Sequence, residues 1–172
     1  MRLVGERVTL LPVPRDVAVA VIEGSGLQPA LDRLGLTAAT GWPHADTPDA
    51  MRSLTSDGPD PAHGSFLISV DQQVVGDCGW MGGQDDNGDA EIGYGLAGSA
   101  RGRGLGTEAV GVLATWVEQQ PGVRRVTAEA LIGNEPSRRV LERLGFVEEG
   151  TAPPYVRYVR ERPHMDRAVH SG

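Results

Sequence analysis

A glycine-rich stretch, SARGRGLGTEAV at residues 99–110, places Gly102, Gly104 and Gly106 directly before a helical pattern. Glycine in a helix interior costs about 1 kcal/mol relative to alanine, so these residues oppose the helix unless the backbone has a task of its own. The first N–H groups of a helix lack internal partners, and the helix dipole is positive at that end. Without Cβ atoms in the way, an anion can approach those groups closely. The stretch therefore predicts a phosphate-binding loop that opens a helix.

The composition is that of an acidic globular protein, with 172 residues, 23% charged residues and a formal net charge of −7. Nonspecific nucleic-acid binding needs a basic surface, so no nucleic acid is expected as a partner. The chain lacks the run of about 18 apolar residues that a membrane span needs, and its first residues do not follow the pattern of a signal peptide. We therefore expect a cytoplasmic protein without a membrane partner.

The cysteine content limits the chemistry of the chain. Cys78 is the single cysteine, so no internal disulfide can form. It lies in a strand-like run, where we expect a small buried side chain rather than a reactive thiol. No Cys/His spacing is typical of a zinc site, so no metal is expected.

The periodicity of apolar residues and the positions of Gly and Pro predict the order of the elements. Strands are expected over residues 6–13, 64–70, 73–82, 89–96, 123–132, 146–150 and 154–162, and helices over 15–24, 47–58, from the glycine stretch to 120–122, and over 134–145. The tail, residues 164–172, is expected to be frayed. Because strands come first and then alternate with helices, we expect a single α/β domain. Its sheet should be mixed and mostly antiparallel, with helices on both faces.

The glycine stretch has two alternative interpretations. A flexible surface turn would use the same residue types. A dinucleotide-binding fold would also fit, since Gly104, Gly106 and Ala109 match G-x-G-x-x-A and Glu129 follows 20 residues later. Against that fold, residues 97–101 separate the preceding strand from Gly102, whereas the dinucleotide turn is tight. Only 63 residues follow Ala109, too few for the second half of such a fold.

Two motifs in the right order carry a resemblance to a known family. RGRGLG at 101–106 matches Arg/Gln-x-x-Gly-x-Gly/Ala, and NEPSRRVLERLGF at 134–146 resembles Asn-x-x-Ser/Ala-x-x-x-Leu-x-x-x-Gly-Phe. Both are motifs of the GNAT superfamily of N-acetyltransferases. AEIGYGL at 90–96 is similar to the family's fourth strand, and the opening segment ERVTLLPV is also common there. The well-matched part covers about residues 64–150.

The resemblance implies a GNAT-like fold in which two neighbouring parallel strands splay apart and acetyl-CoA enters the gap. Residues 64–150 would form the acetyl-CoA-binding core, and residues 14–63 would supply the acceptor side. The implied contacts to acetyl-CoA are Leu96, Ala97, Gly98, Arg101, Gly102, Arg103, Gly104, Leu105, Gly106, Thr107 and Asn134. Arg138 and Arg139 either meet the 3′-phosphate of CoA or form an exposed helix face.

The family reaction implied by the resemblance is direct attack of a neutral amine on the thioester. Glu91 is the candidate base because it lies at a position that resembles the family's base, although a solvated strand glutamate would look the same; His44 is the alternative base. In many family members, a tyrosine that serves as the general acid stands where this chain has Leu141. Ser137 instead matches the branch that acetylates N-terminal amines of ribosomal proteins, so it is the candidate acid, or only a residue that caps the helix.

The acceptor site is expected in GWPHADTPDAMR, residues 41–52. Trp42 and His44, with Asp46 and Asp49 beside them, would suit a cationic amine, although a loop pinned by one buried tryptophan would show the same residues. His63 is expected in a loop. The acceptor would be a small-molecule or peptide amine, and a homodimer is compatible with the class. The alternative function is a non-catalytic acetyl-CoA-binding module.

Overall fold

The computed structural model describes residues 1–55 and 64–163. Its strands are β1 (Leu3–Val4), β2 (Thr9–Pro12), β3 (Thr37–Ala38), β4 (Ser65–Val70), β5 (Gln73–Gln84), β6 (Asp89–Leu96), β7 (Arg125–Leu131), β8 (Val147–Ala152) and β9 (Tyr155–Glu161). Its helices are α1 (Arg15–Glu23), α2 (Leu27–Asp32), α3 (Thr47–Met51), α4 (Leu105–Glu118) and α5 (Glu135–Arg143), with 3₁₀ turns at Arg52–Leu54 and Gly98–Ala100. None of the helices in the described ranges is both long and apolar enough to cross a membrane.

The order of elements follows the sequence prediction, except that the short strand β1 and the stretch with α2 and β3 were not predicted. α2 and β3 lie between Gly24 and Thr40, where Gly24 and Gly26 have positive φ and Pro29 lies inside the short helix. These residue types are typical of turns, so local signals hide the helix. The predicted helix end at Gly58, the loop position of His63 and the frayed tail lie outside the described residues.

The strands form one sheet in the order β1-β2-β4-β5-β6-β7-β9-β8, with β3 paired to β5 off this path. Short connections give antiparallel neighbours; between β4 and β5 the turn residues Asp71 and Gln72 have φ of 48° and 63°. The connection from β6 to β7 instead passes through α4, and this crossover makes the pair parallel. The mostly antiparallel, mixed sheet is therefore as predicted.

The parallel pair β6–β7 separates part-way along its length. Its register runs from Asp89 opposite Arg125 to Ile92 opposite Ala128. Beyond that point β6 continues to Leu96 against β5, and β7 continues to Leu131 against β9. The predicted splayed pair is present, and the gap between the strands opens after Ile92.

Helices cover both faces of the sheet. The rings of Phe66 and Trp80 meet Trp116 of α4 edge-on, with centroids 5.4 and 6.1 Å apart, so α4 packs on the face that these side chains share. On the opposite face the buried carboxylate of Asp77 accepts a hydrogen bond from Trp42, which precedes α3. Cys78 is buried, as predicted, and burial raises the pKa of its thiol.

The start of α4 is tied to the N-terminal segment through Glu108. Its carboxylate accepts hydrogen bonds from the backbone N–H groups of Arg7 and Val8 and from Arg7 Nε, and Arg7 Nη1 also donates to the Arg103 carbonyl at 2.8 Å. Burial alone would raise the pKa of Glu108, but these hydrogen bonds outweigh it and the pKa is lowered. Arg7 and Glu108 thereby connect the N-terminal segment to the glycine-rich loop and to the first turn of α4.

Replacing Glu108 by Gln should lower the free energy of unfolding by about 1–3 kcal/mol at neutral pH, because the N–H groups of Arg7 and Val8 and the Arg7 guanidinium lose a charged acceptor. Since the folded pKa is lowered, the carboxylate stabilises the protein fully above its ordinary pKa of about 4.3 and loses this contribution as the pH falls through the folded value. Urea unfolding of wild type and Glu108→Gln at neutral and acid pH measures both effects. Glu6→Gln, a change at a neighbouring exposed glutamate, is the matched control, and equal midpoints for the two variants would contradict the prediction.

Candidate active site

The glycine-rich loop leaves a row of backbone donors free. Gly102 and Gly104 have φ of 76° and 75°, a left-handed conformation that side chains rarely adopt. This path directs the chain into α4 at Leu105. Within the described part of the chain, none of the N–H groups from Gly102 to Thr107 has a hydrogen-bond partner. A Cβ on Gly102 would meet nothing within 4 Å, so the outer side of the loop is open to an anion.

The packing of α4 gives a physical reason for a glycine at position 106. It is buried inside α4, and a Cβ there would lie 3.2 Å from Leu96 Cδ1 and 3.9 Å from Val140 Cγ2. The missing side chain therefore lets α4 pack closely against β6 and α5. The contact of Gly106 with acetyl-CoA stays a prediction.

The open edge of β6 presents backbone groups to the gap. The Ala97 N–H donates to Val75 on β5, and a Cβ on Gly76 of β5 would collide with the Gly95 carbonyl oxygen, so residues 95 and 97 direct their backbone groups toward β5. Because backbone groups alternate along a strand, Tyr94 and Leu96 direct theirs toward the gap. Of the predicted acetyl-CoA contacts here, Leu96 thus faces the gap, whereas the Ala97 N–H is already bonded.

Glu91 lies on β6 immediately before the gap opens, opposite Thr127 of β7. Its carboxylate is half-buried and has no hydrogen bond or ion pair among the described residues. Burial raises the pKa of Glu91, and the nearby Glu129 raises it further against the opposing effect of Arg157. Strand alternation puts Glu91 on the same face as Gly95, which is the face of Trp42 and not that of α4.

Asp85 and Asp89, two acidic residues near Glu91 in the chain, are engaged in hydrogen bonds. Asp89 accepts from Arg125 at 2.7 and 2.8 Å and from Arg157 at 2.9 Å, and hydrogen bonding to Arg125 lowers the pKa of Asp89. Asp85 accepts from the N–H groups of Asn87 and Asp89 within its own turn. Glu91 therefore differs from Asp85 and Asp89 in having a carboxylate that is free to accept a proton.

Trp42 and His44 lie on a loop that Asp77 holds. The oxygen Oδ2 of this buried carboxylate accepts from Trp42 Nε1 and from Thr47 Oγ1, each at 2.9 Å, and lies 3.1 Å from His44 Nε2. His44 Nδ1 accepts from the Asp46 N–H at 3.3 Å. Both imidazole nitrogens thus face protein groups, and Trp42 is only 4% exposed. The two side chains anchor the loop, and neither offers an open wall or a free nitrogen lone pair.

Asn134 and Ser137 begin α5 at the other side of the gap. Asn134 Oδ1 accepts from the Ser137 N–H at 3.3 Å, so Asn134 caps the helix as its sequence position indicated. The Ser137 hydroxyl does not cap the helix; its Oγ lies 2.7 Å from Tyr94 Oη. Leu141, at the position where the resemblance would place a tyrosine, is fully buried.

A cavity of about 610 Å³ lies at this end of the sheet, between the glycine-rich loop and the end of β7. Its lining residues are Arg101, Leu131, Ile132, Gly133, Asn134 and Pro154. Arg101 and Asn134, two of the predicted acetyl-CoA contacts, thus line the same cavity. Arg138 instead donates to Tyr158 Oη and to the Ile132 carbonyl, and Arg139 pairs with Glu135 on the helix surface.

Two residues of this region could not be selected from sequence. Asp77 lies within a predicted strand, and its three partners lie 30 to 35 residues away. Tyr94 lies within the motif AEIGYGL. A partly buried phenol needs a hydrogen-bond partner, which was the only indication that the sequence offered for a role of this side chain. Neither partner is close enough in the chain for spacing to reveal it.

Comparison with known proteins decides the family. The sequence matches the model of the acetyltransferase (GNAT) domain over residues 7–147. The chain belongs to the GNAT acetyltransferase family. This membership makes the protein an acetyltransferase and overturns the dinucleotide-binding alternative for the glycine stretch.

Individual relatives agree with the assignment. YjdG of Bacillus subtilis (strain 168), an uncharacterized N-acetyltransferase, is 29% identical over 136 residues, or 76% of this chain and 81% of YjdG. The fold is similar to RimL, a ribosomal L7/L12 alpha-N-protein acetyltransferase in complex with coenzyme A (TM-score 0.66, 18% identity, 94% of this chain and 98% of that one). It is also similar to the ribosomal-protein-S5-alanine acetyltransferase from Vibrio fischeri (TM-score 0.67, 17% identity, 94% and 97%).

The pKa of His44 in this GNAT protein should lie above its ordinary value, because pairing with Asp77 outweighs the lowering by burial. NMR titration of the imidazole should show Asp77→Asn lowering that pKa more than Asp46→Asn, the exposed control. Because the folded pKa is raised, the pair stabilises the loop fully below an ordinary histidine pKa of about 6.5, and this contribution is lost as the pH rises through the folded value. An unchanged pKa in Asp77→Asn would exclude Asp77 as the anchor.

Proposed function

We propose that this GNAT acetyltransferase transfers an acetyl group from acetyl-CoA to a primary amine, which attacks the thioester directly while both substrates are bound. The observation that carries the proposal is the row of free N–H groups from Gly102 to Thr107 beside the open edge of β6. A helix N-terminus with unpaired donors suits the pyrophosphate of CoA, and Arg101 and Arg103 add positive charge. The unpaired strand edge suits an extended arm that carries amide groups.

The pantetheine arm would lie between β6 and β7, with Leu96 and Gly98 on one side and Asn134 on the other. The free backbone groups of β6 can hydrogen-bond its amides in the way that a neighbouring strand would. The cavity between Arg101 and Asn134 gives the arm a route from the loop into the sheet. Bound CoA in the similar RimL structure supports the same ligand for this chain.

Glu91 is the proposed general base. It has no partner in the described part of the chain, it lies at the point where the gap opens, and its raised pKa makes it a stronger base than an exposed glutamate. His44 is disfavoured for this role because its two nitrogens face Asp77 and Asp46. Glu91 would take the proton from the ammonium form of the acceptor, either directly or through water.

Backbone and side-chain donors would stabilise the charge that moves to the thioester. The Tyr94 N–H faces the gap and is the proposed donor to the carbonyl oxygen as that atom becomes negative. Ser137 is the proposed acid for the departing sulfur, since its hydroxyl lies at the start of α5 on the opposite face from Glu91. Base and acid would thus act from the two faces of one strand.

The acceptor is proposed to be a protein N-terminus, with a small primary amine as the alternative. Two similar structures are named as acetyltransferases of ribosomal proteins, which supports the first choice. Residues 42–47 border the face on which Glu91 lies, where Trp42 and His44 would shape the site by fixing the loop. Glu91 and Glu129 on this face favour a cationic acceptor.

Calorimetric titration with acetyl-CoA tests whether residues 102–107 bind the pyrophosphate. Wild type should bind acetyl-CoA and not NAD, and Gly102→Glu should weaken binding at least about tenfold, or 1.4 kcal/mol, because a carboxylate then faces the pyrophosphate. Gly24→Glu is the matched control, since Gly24 also has positive φ with nothing within 4 Å but lies at the end of α1. If both variants bind acetyl-CoA equally well, residues 102–107 do not bind its pyrophosphate.

Glu91→Gln tests the base. CoA release should slow by about 100-fold or more while acetyl-CoA affinity stays unchanged, because only proton transfer is lost. In wild type the rate should rise as the pH increases through a pKa above that of an ordinary glutamate, and this limb should disappear in the variant. Short peptides with free N-termini and simple primary amines serve as acceptors. Asp86→Asn, an exposed acid in the nearby turn, is the control, and a Glu91→Gln profile identical to it would exclude Glu91.

A further inference from the structure

Tyr94 connects the open strand to the helix that carries Ser137. Its side chain leaves β6 on the face covered by α4 and α5, and its hydroxyl meets two atoms of one residue: Ser137 Oγ at 2.7 Å and the Ser137 carbonyl oxygen at 3.0 Å. In the described part of the chain, Tyr94 is the only side chain bonded to the Ser137 hydroxyl. Tyr94 also supplies the backbone N–H that faces the gap, so one residue borders both proposed reacting positions.

The two contacts define two hydrogen arrangements. A phenol has one hydrogen, and a carbonyl oxygen can only accept. When Tyr94 donates to the Ser137 carbonyl, the short contact to Oγ requires Ser137 to donate to Tyr94, which leaves no hydrogen for a ligand in the gap. When Tyr94 donates to Oγ, the Ser137 hydrogen is free to point elsewhere. The rotation of two hydroxyl groups interconverts the arrangements without movement of heavier atoms.

We propose that Tyr94 is the positioning residue for the acid: it orients the Ser137 hydroxyl toward the departing sulfur and replaces the hydrogen that Ser137 gives up. As the carbon–sulfur bond breaks, the sulfur takes the Ser137 hydrogen and the Ser137 oxygen takes the Tyr94 hydrogen. Glu91 first passes the ammonium proton to water, and it then takes the second proton that the nitrogen loses as the carbon–nitrogen bond forms. Water afterwards removes the proton from Glu91 and returns one to Tyr94, so that atoms and charge balance.

The pKa values of serine, tyrosine and a thiol explain why Ser137 would need Tyr94 as a partner. An isolated serine hydroxyl is a far weaker acid than a thiol, whereas a phenol, with an ordinary pKa near 10, lies much closer to a thiol near 8.5. Burial raises the pKa of Tyr94, an effect that the Ser137 hydrogen bond opposes only in part, so the phenol keeps its proton until the sulfur gains charge. The inference rests on the proposed acetyl transfer and names the residue on which its acid depends.

A double-mutant cycle tests the inference, with kcat and the KM for acetyl-CoA measured for Tyr94→Phe, Ser137→Ala and the pair of changes. Tyr94→Phe should lower kcat by about 10-fold or more with little change in KM, because the loss falls on bond breaking. In the Ser137→Ala background the same change should have no further effect, since Tyr94 acts through Ser137. Equal, independent losses in both backgrounds would overturn the proposal.

Tyr158→Phe is the matched control. Its buried hydroxyl also bonds to α5, accepting from Arg138 and donating to Glu142, but does not touch Ser137. If Tyr94 only braced α5, the two phenylalanine variants would lose similar unfolding free energy and similar activity, and the inference would fail. A wild-type protein that binds acetyl-CoA but acetylates no amine would overturn the proposed function and this inference together. An active wild type with an unaffected Tyr94→Phe would overturn the inference alone.

Discussion

The end of hydrogen bonding between β6 and β7 after Ile92 is the constraint on which the rest of the site depends. Backbone N–H and C=O groups inside a protein need partners, and two strands that separate within a sheet leave a row of them unmet. The fold tolerates this because each strand retains its other neighbour, β5 for β6 and β9 for β7. An extended ligand can complete the pairing, so the separation of the strands and the proposed binding site are the same feature.

The alternation of a strand then distributes the chemistry around that gap. The side chain of Glu91 and the Cα hydrogens of Gly95 lie on the face where Asp77 holds the loop of Trp42 and His44. The side chain of Tyr94 lies on the face of α4 and α5. Gly95 has no side chain because the His44 imidazole occupies the space that a Cβ would fill. A base on one face and an acid on the other can act on the same thioester from opposite sides. The separation follows from strand geometry and needs no special loop.

Sequence reasoning succeeded where a signal was local and failed where a partner was distant. The glycine loop, the Asn134 cap and the bounds of β6 depend on neighbouring residues, so spacing was enough to predict them. The Asp77 anchor, the Arg7–Glu108 tie and the Tyr94–Ser137 contact each join segments between 30 and 101 residues apart. Gly106 shows the same limit, because its neighbours Leu96 and Val140 come from other elements. The roles proposed for Glu91 and Ser137 are still predictions.

The charge balance around the gap bears on which amine can enter. Two carboxylates on this side of the sheet, Asp89 and Glu149, are neutralised by Arg125 and Arg157. Glu91 and the exposed Glu129 stand on the same face, and the charge of Glu129 disfavours the ionised form of Glu91. A cationic ammonium that arrives between them relieves this repulsion, and transfer of its proton to Glu91 keeps the repulsion relieved. The same pair can therefore attract the protonated acceptor and convert it to the neutral nucleophile.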